Sequence, residues 1–400
     1  MSEALRKQFN ARFTPERYQR FLRHIDEVAG THVGFRNCET PAFFDEDFLD
    51  RLAADGCELI RQLVDNPEYR AVSERSLPER YRVPNEARVP MFTQVDFGVI
   101  RDQNGELQPK LVEIQGFPSL YAYQPALAQA YIDAYELEGD LRYMLGGLTP
   151  ESYAPVLRRA ICGDHDPENV ILMEIDPYRQ KTLCDFLLTE KMLGVRAVCI
   201  TKLQKHGNRL FYWSGGRLVP VRRIYNRAIV DELERRNAIV PFDWRDDLDV
   251  EWAGHPNYYF RISKFSIPFL RHESVPRTLF LDQLDQTPGD LENWVLKPLY
   301  SFAGLGVSIG PSREEIEAIP PEKRGDYILQ ERVNFTPVIE TPHGMTKAEV
   351  RVMYIWFENE ADPLPVTTII RMGRGRMMGV DHNKNMEWVG ASAALYPARQ

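Results

Sequence analysis

Four hundred residues exceed what one small hydrophobic core usually organises, so two or three structural units are expected. With 44% hydrophobic and 27% charged side chains the composition is that of a folded protein, and 49 basic against 58 acidic residues, a formal charge of -9, argue against a general nucleic-acid or anionic-membrane binder. No stretch has the length of a membrane span and residues 1–13 lack the apolar core of a secretory signal, while Cys38, Cys57, Cys162, Cys184 and Cys199 are too scattered for a disulfide framework or a metal knuckle; a cytoplasmic protein with five lone buried thiols is the expectation.

Residues 1–90 are read as a helical N-terminal region, with apolar positions at helical spacing in Phe21, Leu22, Ile25 and Val28 and again from Phe48 and Leu49 to Leu63 and Val64. Residues 91–166 open on a hairpin: Val95, Phe97, Val99 and Ile100 lead into the turn Asp102-Gln103-Asn104-Gly105, and Leu111-Val112-Glu113-Ile114 returns. That pairing sets Asp96 and Glu113 at comparable heights, and a helix over 125–138 follows. Residues 167–248 carry an α/β rhythm: a buried strand over 169–173, a helix over 180–193 ending at Gly194, and a strand over 195–201. A polar hairpin around Ser214-Gly215-Gly216 and a strand over 219–225 complete a separate lobe. Residues 249–400 mix strands with one glycine-bearing loop and few long helices. The fold class expected for the whole is α+β with an inserted α/β lobe.

The most informative stretch runs from Trp294 to Ile309. A strand delivers Lys297, a loop holding Ser301, Gly304 and Gly306 follows, and a strand returns, which can lay backbone N–H groups over polyphosphate oxygens while the ammonium neutralises them. A glycine hairpin with a surface lysine reads equally well on this segment alone. Lys264 lies upstream, and Ile328-Leu329-Gln330-Glu331-Arg332-Val333 downstream forms a strand whose end can meet an adenine edge and a ribose. His255, His343 and His382 form no compact ligand spacing and are read as structural or surface residues.

These pieces in this order resemble the ATP-grasp enzymes, most closely the circularly permuted glutathione synthetase and glutathionylspermidine synthetase branch. The resemblance rests on Lys264 before a proline-bearing segment, on Lys297-Pro298 before a glycine loop, and on the strand ending Gln330-Glu331. The hairpin adds Asp96 and the run Glu113-Ile114-Gln115, where the branch has an E-x-N motif that holds magnesium and leads toward a substrate serine, here Ser119. Two departures stand out: Gln115 replaces the asparagine, and residues 301–306 lack the usual glutamate of the glycine loop, for which Glu349 is an alternative source of charge.

The resemblance implies an ATP-dependent carboxylate-amine or carboxylate-thiol ligase working through an acylphosphate, with ATP and Mg²⁺ as cofactors. Lys264, Lys297, Ser301, Gly304, Gly306, Gln330, Glu331 and Val333 would hold the nucleotide, and Asp96, Glu113 and Gln115 the metal. Arg371 would be the transition-state cation beside Lys297. Ser119, Glu174, Arg227, Gly390 and Ala391 would face the acid, the last two in a small-residue turn, with Arg374 and Arg376 open between a site role and solvated hairpin charges. A phosphotransferase on the same scaffold and a non-catalytic nucleotide-binding protein are the alternatives. The expected partners are small molecules, with no nucleic acid or membrane, and the resemblance is compatible with a homodimer.

Overall fold

The computed structural model describes residues 2–300, 305–383 and 385–398. Its helical opening is α1 (Glu3–Arg12), α2 (Pro15–Ala29), α3 (Glu46–Val64) and α4 (Pro67–Ser73). The Thr14 hydroxyl accepts from the Arg17 N–H and Pro15 occupies the first helical position of α2, a combination that satisfies an orphan donor and presets the backbone. The opening does not stand apart. β1 (Ala42–Phe43) pairs in parallel with β20 (Ala394–Pro397), and β20 pairs with β4 (Leu141–Arg142), so the two ends of the chain are stitched together.

The central sheet follows from the hairpin β2 (Phe92–Arg101) and β3 (Leu107–Gln115). Its order is β19 (Gly390–Ser392), β18 (Leu364–Gly373), β17 (Gly344–Ile355), β2 and β3, with β16 (Ile339–Thr341) pairing on β17. Alternation decides its two faces. Val95, Phe97, Val99, Val350, Val352, Tyr354, Ile370 and Met372 point to one side and pack on Phe48, Leu49, Leu52, Ile60 and Leu63 of α3. Burying each such side chain contributes about 1.5–3 kcal/mol, so this face fixes the register of the sheet. The opposite residues, Asp96, Glu113, Glu349, Arg351 and Arg371, are left on the other face. β3 is an edge strand and so tolerates Pro109 in mid-run.

The α/β rhythm gives a fully parallel sheet, ordered β11 (Glu251–Ala253), β10 (Arg223–Asn226), β5 (Val170–Glu174) and β6 (Arg196–Cys199). β5 is buried throughout because both of its faces are covered. Val170 and Leu172 pack with α5 (Tyr123–Tyr135), α6 (Pro150–Cys162) and α7 (Leu183–Leu193); Ile171 and Met173 meet a three-stranded sheet of β7 (Gln204–His206), β8 (Arg209–Ser214) and β9 (Arg217–Val221). The expected strand over 219–225 is two strands that divide at Arg222, one in each sheet, and the parallel sheet takes its last strand from beyond residue 248.

The fifth sheet is antiparallel, with β12 (Thr278–Phe280), β15 (Tyr327–Glu331), β13 (Trp294–Pro298) and β14 (Ser308–Ile309) in that order. The expected helix over 125–138 begins at Tyr123 and stops at Tyr135, and the one over 180–193 begins at Leu183. Of the five thiols, Cys38, Cys162 and Cys184 are buried while Cys57 and Cys199 are half-buried; all are free. Among the described residues no helix is long and apolar enough to cross a membrane.

Candidate functional site

A cleft of about 930 Å³ lies where the charged face of the central sheet, the antiparallel sheet and the C-terminal ends of the parallel strands meet. Two close approaches of the backbone build it. The Gly116 N–H donates to Ile262 O at 2.7 Å, and a Cβ on Gly116 would stand 2.6 Å from Tyr258 O, so only glycine lets residues 258–264 lie along the end of β3. This brings Lys264, on a 3₁₀ turn capped by Ser263, to 3.3 Å from Glu113. At Gly98, a Cβ would come within 2.8 Å of Val333 and Phe335, and its absence lets the chain leaving β15 cross the central sheet.

Lys297 comes from β13, on the face it shares with Val295. It is buried, with Nζ donating to Val112 O at 2.9 Å and to Gln330 Oε1, so that it joins the antiparallel sheet to the edge of the central one. Burial pushes its ammonium down to about 8, against the attraction of Glu113. Val295, Val307, Ile309 and Val333 supply an apolar wall beside it.

The floor is a ladder of charged side chains across four strands. Register sets Asp96 between Glu113 and Arg351, and Glu349 against Arg371. Arg351 grips Asp96 through two bonds, Nε to Oδ1 at 2.5 Å and Nη2 to Oδ2 at 2.7 Å, and gives Nη1 to Gln94 Oε1 at 3.0 Å. Arg371 donates to Asp96 Oδ2 as well and lies 3.0 Å from Glu349. Burial would raise the Asp96 carboxyl; Arg351 and Arg371 reverse this and hold it below the usual carboxylate range. At Glu349 burial prevails over Arg371 and the carboxyl is raised. With its oxygen toward Arg351, the Gln115 carboxamide accepts from Nη1 at 2.9 Å.

These residues do not fit a magnesium ion. Both oxygens of Asp96 are taken by guanidinium groups, whereas Mg²⁺ needs free oxygen donors in near-octahedral array. Among the described residues no group of three or more His, Cys, Asp or Glu is arranged to hold a metal ion.

At the far end of the cleft Glu174 closes β5, and burial pushes its carboxyl up to about 8. Arg227 lies behind it, paired with Asp185 at 2.8 Å, and its Nε is buried without a hydrogen-bond partner. Asp185 also accepts from the Ala122 and Tyr123 N–H groups, which holds that ion pair to the start of α5. Ser119, Gln180 and Arg236 line this end too.

Thus Asp96, Glu113, Gln115, Ser119, Glu174, Arg227, Lys264, Lys297, Gln330, Glu331, Val333 and Arg371, separated by up to 275 positions, line one cleft. Ser301 and Gly304 lie outside the described residues. Gly306 has a left-handed backbone, φ 73°, and does not line the cleft, although Val307 beside it does. Gly390 and Ala391 correct the expectation of a turn: they form β19, paired with Met372 and Arg371, the Ala391 N–H donates to Arg36 O, and neither residue is among those lining the cleft. Arg374 is tied to Thr346 at 3.1 Å and is no solvated hairpin charge, whereas Arg376 lines the cleft. His255 is buried, His343 pairs with Glu387, and His382 lies at the cleft's rim. Arg351 was missed by sequence reasoning. The available signal was its place two residues after Glu349 in an alternating strand, which puts both on the polar face.

No protein-family model and no curated protein matches the chain. Among solved structures it is similar to a glutathione synthetase-like effector from Globodera pallida in its apo form, with a TM-score of 0.54 and 10% identity over 89% of this chain and 93% of that one. What the two share is the fold. It is a mixed α/β, glutathione synthetase-like fold of several sheets.

Proposed function

We propose that the chain is an ATP-dependent ligase joining a carboxylate to an amine or thiol, on a circularly permuted ATP-grasp fold. One observation carries this reading: Lys264, Lys297 and Arg371 converge from three separate elements on a cleft with room for a nucleotide and a small acid together. A base would lie against Val295, Val307 and Ile309, with Gln330, Glu331 and Val333 at its edge. Lys264 and Lys297 would neutralise its phosphates.

In the reaction a carboxylate oxygen attacks the γ-phosphorus, the bond to the bridging oxygen breaks, and ADP leaves. The amine or thiol then attacks the acyl carbon, phosphate departs with the bonding pair, and the nucleophile gives up its proton. Arg371 would meet the transferring phosphoryl group; Ser119, Glu174 and Arg227 would face the acid. Positioning and fixed charge are the catalytic contributions these residues can make, and no covalent step on the protein is needed.

A second reading, nucleotide binding without turnover, is favoured by the ion pairs that occupy Asp96. Calorimetric titration with a non-hydrolysable ATP analogue tests the common ground: saturable binding is expected, at least ten-fold weaker in a Lys297→Met variant that still folds. No binding by folded protein sinks both readings. ADP release on addition of amino acids or polyamines then separates the ligase from the silent binder.

A further inference from the structure

The acid pair Asp96 and Glu113 stands where the resembled enzymes would hold a divalent cation, yet the cleft floor has a cation of its own. Arg351 reaches Asp96 from the neighbouring strand, held there by register, and covers both carboxylate oxygens while also engaging Gln94 and Gln115. We infer that Arg351 is a resident cation that takes the place of a protein-bound divalent metal at Asp96, Glu113 and Gln115.

Three observations converge on this. First, Asp96 is 1% exposed, so its charge has to be compensated from within the protein, and Arg351 and Arg371 do so in full. Secondly, among the described residues of this floor, Arg351, Arg371, Lys264 and Lys297 stand with Asp96, Glu113 and Glu349, four basic side chains to three acidic ones. A divalent ion entering there would meet net repulsion, because the attraction of the carboxylates is already spent. Thirdly, a guanidinium fork matches a carboxylate through two parallel N–H donors, and the Arg351–Asp96 contact has that form. The inference rests on the chain's own ion pairs and holds whether or not the cleft takes ATP.

It predicts that deleting the guanidinium creates a metal site. Mn²⁺ titration of the full chain, followed by electron paramagnetic resonance without nucleotide, should show no saturable site in the wild type. Arg351→Ala should acquire one, binding Mn²⁺ at least ten-fold more tightly, and should melt higher when Mn²⁺ is added, a rise the wild type lacks. Arg351→Lys retains the charge and should acquire nothing; Asp96→Asn with Arg351→Ala should lose the new site. A wild-type Mn²⁺ site abolished by Asp96→Asn would overturn the inference, as would a folded Arg351→Ala that binds no better than wild type. Should Arg351→Ala fail to fold, Arg351→Gln, nearer in size, carries the same two outcomes.

Discussion

At the scale of single residues, the cleft is governed by where burial and charge disagree. Lys297 is buried enough that its folded pKa lies near 8, below the ordinary 10.5 of an exposed lysine. The neutral form is therefore favoured by the fold: between about pH 8 and 10.5 the unfolded chain binds the extra proton, so wild-type stability should rise across that window relative to Lys297→Met, as read by chemical denaturation. Affinity for an anionic nucleotide runs the other way. It should fall as pH passes about 8 in the wild type and stay flat in Lys297→Met; parallel profiles would remove Lys297 from the site. Glu174 carries the opposite sign. Its carboxyl is raised from 4.5 to about 8, so the folded chain holds the proton longer and stability falls as pH rises from 4.5 to 8. Glu174→Gln should match the wild type near pH 4.5 and be the more stable near pH 8. Of these residues, Lys297 and Glu174 were legible in the sequence as to place, one on a strand before a glycine loop and one closing a strand. Their altered acidity was not, because it depends on neighbours from other sheets.

At the scale of elements, the hairpin of β2 and β3 was legible almost to its register. The polar turn at Asp102 to Gly105 and the alternation on either side suffice to set Asp96 beside Glu113, as the pairing has it. The partner strand was not legible, since the ion pair that matters at Asp96 spans 255 positions and no local pattern encodes it. The turn expected at Gly390 failed for a related reason: small residues also suit a strand pressed against a neighbouring backbone, and a Cβ at Gly390 would meet Arg36 O at 2.6 Å. Gly116 tests the element-level account. Gly116→Ala should force β3 and residues 258–264 apart, lowering stability by about 1–3 kcal/mol in denaturant titrations. It should weaken anion binding with it, since Lys264 depends on that close approach for its place beside Glu113. An unchanged melting temperature would show that the backbone gives way there without cost.

At the scale of the whole molecule, the ends of the chain form one seam. Cys38 N–H donates to Ala391 O at 2.7 Å, Ala42 N–H to Ala393 O at 2.9 Å, and Phe44 N–H to Leu395 O at 3.2 Å. Protection from hydrogen exchange over residues 38–44 and 391–397 should therefore rise and fall together as conditions change; independent rates would show two separately folding parts. The mix of helices and sheets and the strand–helix–strand run over 170–199 were legible from rhythm, whereas this seam joins residues far apart in the chain and had no sequence signal.

Lys297 adds a final consequence. Its ammonium is already a fastener, donating from the antiparallel sheet to the Val112 carbonyl of the central one. An anion that recruits those same protons competes with the scaffold for them, so the guest's grip on the lysine comes partly at the expense of the bond between the sheets. A filled cleft would then have a slacker joint than an empty one, and a guest's affinity would depend on the stiffness of that joint as well as on its own charge.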